Sequence, residues 1–236
     1  MFFYINWTYI LMVLPAFLFA SWASSKVKST FNYYSNEYSR KNETGASIAR
    51  KVLDEHGLSH IRIEKVRGNL TDHYDPKNNV IRLSDGVYSS TSVAALGVAL
   101  HEVGHAIQYK EGYFPIKLRN AIIPITNLSS RLAMPLIIIG VLLSSLGEGY
   151  SVVAYIGVAL FGVAVLFQLI TLPVEYNASN RAIKQLESSY VLDSIELEGA
   201  KKVLSAAALT YVASLAVALS QFMYLLRLVG RRSNRR

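Results

Sequence analysis

Cysteine is absent from all 236 residues, which excludes disulfide bridges and any thiolate metal site. Acidic side chains are few, 16 against 24 Lys and Arg, for a formal net charge of +8. Neither a basic helix nor an aromatic platform accompanies that charge, so it reads as attraction to a membrane surface and excludes a nucleic-acid role. There is no internal repeat and no low-complexity tract. Charge is missing from residues 2–25, 132–146 and 150–172, and 203–229 is broken only by Gln221 and Arg227. Within these stretches His, Asp and Glu are lacking, which argues against an ion-translocating transporter.

The apolar stretches themselves are the first positive feature. Hydrophobic residues make up 52% and the mean hydropathy is +0.28, an integral membrane composition. About 20 residues of helix cross the hydrocarbon core, so 2–25, 150–172 and 203–229 are each long enough. The 132–146 stretch is short, but Gly147-Glu148-Gly149 makes a turn into the next and predicts a transmembrane hairpin. Residues 2–25 lack a basic leader and contain Pro15, which predicts an uncleaved anchor.

Lys26, Lys28, Lys117, Arg119, Arg131, Lys201 and Lys202 flank the spans on one side, whereas the hairpin turn opposite carries only Glu148. The basic side is expected to be cytoplasmic. Arg231, Arg232, Arg235 and Arg236 run against that assignment, because four full spans place them outside.

His101-Glu102-Val103-Gly104-His105 is the second feature. On a helix the two imidazoles lie four residues apart on one face, within reach of one metal ion. Glu102 lies beside that face, where it can take a proton from a water that the metal activates. Zinc is the expected occupant, one ion per chain, since it accepts neutral imidazole and keeps a coordination position open in catalytic sites. Ser90, Thr91 and Ser92 offer N-caps, the helix is expected over Val93–Lys110, and Gly112 is its stop. His56 and His60 share the four-residue spacing, but Gly57 stands where the base belongs and interrupts a helix, so they read as surface histidines.

Residues 26–131 otherwise read as mixed α/β. An amphipathic helix is expected over 44–56 and closed by Gly57, with strands over 61–66 and 80–84 and a turn at 75–79. A small sheet running into the pentad helix is the zincin arrangement, in which an edge strand holds extended substrate, with Arg82 and Ser84 flanking the groove. The fold class expected is thus an α+β zincin-like metallopeptidase domain in a helical membrane protein of about four transmembrane helices. The divisions are 1–25 (anchor), 26–131 (catalytic segment), 132–172 (hairpin), 173–202 (third-ligand region) and 203–236 (last helix and basic tail).

Two His leave zinc short of a ligand. Glu111 has metzincin spacing, six residues past His105, but Gln108 stands where those proteins turn back on Gly. On a continuing helix Glu111 points about 240° away. Glu175 follows the third apolar stretch, where an unpaired carboxylate is costly. It is expected either to bind metal or to pair with Arg181. For the oxyanion the candidates are His73, Tyr74 and Arg181.

The chain resembles the YugP-type membrane neutral zinc metallopeptidases over nearly its whole length. The resemblance rests on Leu70-Thr71-Asp72-His73-Tyr74-Asp75-Pro76, on Ala94–Val98 running into the pentad and Gln108, and on Lys117–Asn120 and Leu172–Glu175. It is more remotely similar to HtpX and the prenyl-protein-processing metallopeptidases, gluzincins whose third ligand is a Glu in an E-x-x-A-D helix. Glu175 and Ala178 match that pattern; Ser179 stands where those relatives have Asp, and Asn177 where the closer family has Asp. The resemblance implies His101, His105 and Glu175 as ligands and Glu102 as base, with Asn177 or Ser179 left to brace an imidazole. The implied activity is endopeptidase action on membrane or membrane-adjacent polypeptides, in a multi-pass protein of the cell membrane. The competing readings are a non-catalytic zinc-binding scaffold and a metal-handling membrane protein.

Overall fold

A computed structural model describes residues 7–144, 147 and 150–233, with side chains to residue 230. Residues 2–6 of the first apolar stretch, Glu148 and Gly149 of the expected turn, and the side chains of Arg231, Arg232, Arg235 and Arg236 lie outside that description. The elements run α1 (Trp7–Tyr34), α2 (Gly45–Glu55), β1 (Arg62–Val66), β2 (His73–Asp75), β3 (Val80–Ser84), α3 (Asp85–Tyr88), α4 (Val93–Glu111), α5 (Phe114–Leu143), α6 (Ser151–Ser188) and α7 (Ser194–Ser233).

Two compact units divide the chain: Met1–Trp22, Leu118–Leu172 and Tyr211–Arg236 form one, and Ala23–Lys117 and Pro173–Thr210 the other. In the first, the apolar parts of four helices assemble. α1, α5, α6 and α7 are each long and apolar enough to cross a membrane. A Cβ added to Gly157 would meet the Ala133 carbonyl oxygen at 2.8 Å, and one on Gly140 would strike the backbone of Ala154. Small residues thus let α5 and α6 approach closely, as membrane helices do when dispersion and not water exclusion holds them. Ile137, Ala154, Val158, Leu225 and Val229 form the buried cluster beside them.

The helices outrun the apolar stretches that announce them. α5 starts at Phe114, with Pro115 in its first turn, and passes through Lys117, Arg119, Arg131, Pro124 and Pro135. α6 continues through Pro173 to Ser188. Helix ends are set by caps and hydrogen bonds, so a change from apolar to polar surface does not mark them.

In the second unit, α2 lays Ile48, Ala49, Val52 and Leu53 against α4. Thr44 caps its first turn through Ser47 N, and Gly57 (φ 64°) ends it. The sheet has the order β1-β3-β2, with β1 parallel and β2 antiparallel to β3. This corrects the expected groove. β3, which carries Arg82 and Ser84, is the central strand, with Val80, Ile81, Leu83 and Ser84 buried. Arg82 bridges Asp75 (3.0 Å) on one side and Glu64 (3.4 Å) on the other, while Asp72 accepts from Ser84 N at 2.7 Å and from its hydroxyl at 3.0 Å. Both candidates therefore lock strand register. The edges are β1 and β2, the latter a three-residue strand not expected from the sequence.

Candidate metal centre

α4 begins as its sequence dictates. Ser92 accepts from Ala95 N, and Gly112 (φ 64°) closes the far end in the left-handed conformation that a Cβ disfavours. Apolar positions around the helix bury it on several sides, leaving His101 and His105 partly exposed on one face and Glu102 buried beside them. The imidazoles stand edge to face, 4.7 Å between centroids.

Glu175 is brought to that face by α6. Its Oε2 lies 3.3 Å from His101 Nε2 and 3.5 Å from His105 Nε2. One ligand atom from each of the three residues lies within 4.8 Å of the other two. Donors held at zinc's 2.0–2.1 Å around a tetrahedron stand about 3.3 Å apart, so the Glu–His spacings fit zinc. Glu175 pairs with the two histidines; Arg181 pairs with Glu111 instead.

The outward nitrogens of both rings are engaged. His101 Nδ1 lies 3.1 Å from Ser179 Oγ, and His105 Nδ1 lies 3.0 Å from Gln108 Oε1. With those bonds made, both Nε2 atoms face Glu175. Burial opposes charge on His105, but Glu175 and Glu102 outweigh it, and its pKa lies above the ordinary value.

The remaining candidates separate clearly. Ser179 braces a histidine; Asn177 does not, its Oδ1 accepting from Gln108 Nε2 (2.9 Å) and Arg181 Nε (2.7 Å). Arg181 is held by Asn177 and by Glu111, whose Oε2 is 2.6 Å away. Glu111 ends α4 half-exposed in that ion pair, which keeps its pKa low. His73 is exposed on β2, with Nδ1 on the Thr71 carbonyl at 2.8 Å and Arg82 beside it. Tyr74 packs edge-on to Tyr109, one turn beyond His105 on α4, at 5.5 Å, and burial raises its pKa. His56 caps α2, and no metal cluster involves it or His60 among the described residues. Gln108 is the member that sequence reasoning missed. It stood out there as a departure from metzincin spacing, and its partners on α6 are too distant along the chain to be read.

Comparison with known proteins finds both a family and a relative. The family model described as "Putative neutral zinc metallopeptidase" matches residues 9–230. The "Putative membrane protease YugP" of Bacillus subtilis (strain 168) is 46% identical over 215 residues, covering 91% of this chain and 93% of that protein. No solved structure matches the chain. By the extent of the family match and of the identity, the chain belongs to the neutral zinc metallopeptidase family.

Proposed function

We propose that this protein is a multi-pass membrane zinc endopeptidase of gluzincin type, with a zincin-like α+β domain and one zinc per chain held by His101, His105 and Glu175. The observation that carries the reading is the convergence of two imidazole Nε2 atoms on Glu175 Oε2 at 3.3 and 3.5 Å. A zinc ion there supplies Lewis acidity, polarising the scissile carbonyl and lowering the pKa of water toward about 7.

Glu102 is the general base. Its carboxylate accepts a proton from the water as that oxygen attacks the peptide carbonyl carbon. It then returns the proton to the amide nitrogen as the C–N bond breaks, giving a carboxylic acid and an amine; the acid's remaining proton passes to the amine, so that a carboxylate and an ammonium leave. Its buried position beside the ligands suits that exchange, because bulk water is kept from the reacting groups. Tyr74 is the oxyanion donor this reading favours over His73 and Arg181, since β2 packs against α4 near His105, while Arg181 is committed to Glu111 and Asn177. The bond between Ser179 and His101 supports a working site over an inert scaffold, because a hydroxyl does there what the relatives' carboxylate does.

The substrate class is a membrane or membrane-adjacent polypeptide, given four membrane-length helices and a ligand, Glu175, that follows closely on an apolar stretch. The flanking Lys and Arg support a cytoplasmic site. The test is Glu102→Gln in purified protein and in cells. Zinc should stay bound while peptide hydrolysis falls by orders of magnitude, and new N-termini among membrane proteins should vanish. Unchanged hydrolysis by Glu102→Gln protein would falsify the mechanism.

A further inference from the structure

Gln108 is fully buried one turn past His105, and each of its amide atoms has a defined partner. Its Nε2 donates to the Val174 carbonyl at 2.8 Å and to Asn177 Oδ1 at 2.9 Å. Asn177 Oδ1 also accepts from Arg181 Nε, which has no alternative role, so that atom is an oxygen. Gln108 Nε2 must then be the nitrogen, and its Oε1 faces His105 Nδ1. An amide oxygen only accepts, so the His105 ring carries its proton on Nδ1 and presents a lone pair at Nε2.

We infer that Gln108 is a positioning residue for the metal centre: anchored on α6 through Val174 and Asn177, with Arg181 holding Asn177 and itself paired to Glu111 at the end of α4, it fixes the tautomer and the ring orientation of His105. His101 is held differently, by a Ser179 hydroxyl that can donate as well as accept. Of the two ligand imidazoles, His105 therefore has its tautomer imposed. The outer end of the chain, at Asn177, Arg181 and Glu111, opens on a cavity of about 390 Å³, while its inner end at Gln108 is sealed.

This inference rests on the zinc-site reading, and its test separates the two. Full-length protein with ¹⁵N-labelled histidine is compared as wild type, Gln108→Met, Asn177→Leu and Asn177→Asp, metal-free at a pH where the imidazoles are neutral. Zinc affinity is then measured by chelator competition. Wild type should show a slowly exchanging His105 Nδ1–H, and Gln108→Met should lose it and bind zinc about 10–100-fold more weakly. Asn177→Leu should weaken zinc by a smaller factor, and Asn177→Asp, which keeps the acceptor, should stay within a few-fold of wild type. The double variant Gln108→Met, Asn177→Leu should be no worse than Gln108→Met alone, because the two side chains act in one line.

A Gln108→Met protein with the proton signal and zinc affinity of wild type overturns the inference, as does a double variant whose loss is the product of the single losses. If Gln108→Met does not fold, the Asn177 pair decides: wild-type affinity in Asn177→Leu overturns it. Should wild type bind no zinc, the metal reading fails, and the Nδ1–H signal in metal-free protein still judges the role of Gln108.

Discussion

The carbonyl oxygen of Ala178 stands 2.6 Å from where a Cβ on Gly104 would lie. Position 104 sits inside the metal pentad, and its lack of a side chain lets α4 close on α6 until Glu175 reaches both imidazoles. Gly104→Ala must push backbone against backbone, which is costly to relieve. The expected result is a loss of about 1–3 kcal/mol in stability together with weakened zinc binding. Thermal unfolding in detergent and zinc per protein after a mild chelator wash measure the two effects. A Gly104→Ala protein with the melting temperature and zinc content of wild type would show that the close approach has no consequence.

Glu175 and Glu111 make opposite predictions about metal. Glu175→Ala should give folded, membrane-inserted protein with substoichiometric zinc and no hydrolysis, a larger loss than the roughly 10–100-fold that follows removal of a supporting residue. Glu111→Ala removes only a half-exposed ion pair with Arg181 and should keep both zinc and activity. Elemental analysis of the two variants decides. An empty site in Glu111→Ala protein beside a full one in Glu175→Ala protein would exchange their roles.

Asp75 predicts an acid-sensitive contribution to stability. Hydrogen bonds from Asn78 and Arg82 hold its carboxyl well below the usual carboxylate range. A pKa depressed by folding stabilises fully above the unfolded value, near about 4, and the effect fades as pH falls through that value toward the folded one. Asp75→Asn should therefore lower the melting temperature at neutral pH, with the gap to wild type closing on acidification below about 4. A gap that stays constant to low pH would detach the effect from this carboxylate.

Charge placement predicts that Lys41 and Glu148 lie on opposite sides of the membrane, Lys41 inside. Single cysteines introduced at each into this cysteine-free chain should label from opposite sides of intact cells. Labelling of Lys41→Cys by an impermeant reagent from outside would reverse the orientation. Labelling of both from one side would remove the hairpin.

The metal helix was legible because its determinants are local: His101 and His105 four apart, Ser92 before the first turn and Gly112 after the last. The same holds for α2, bounded by Thr44 and Gly57. β2 escaped because three residues are too few for an alternating pattern. What holds it is distant along the chain: Arg82 on Asp75, and Tyr109 on Tyr74. Arg82 and Ser84 were read as flanking the groove because strand order is a matter of pairing, and the partners that enclose β3 lie elsewhere in the chain. Polar Lys117, Arg119 and Asn120 hid the first turns of α5, which an apolar window cannot detect. Around the candidate metal centre, Glu175 stood out as a carboxylate beside an apolar stretch, while Gln108 stood out only as a departure from metzincin spacing, its partners on α6 being distant along the chain.

The three proposed ligands lie on two helices, α4 and α6, with the whole of α5 between them in the chain. During synthesis His101 and His105 therefore leave the ribosome well before Glu175 exists. On the proposed reading, a growing chain at that stage holds two of the three donors, together with the base, and would grip zinc weakly. On the proposed reading, hydrolytic competence waits until the third apolar segment and Glu175 behind it have been made. A fragment truncated ahead of Glu175 should accordingly fail to retain zinc against a mild chelator that leaves the full-length protein loaded.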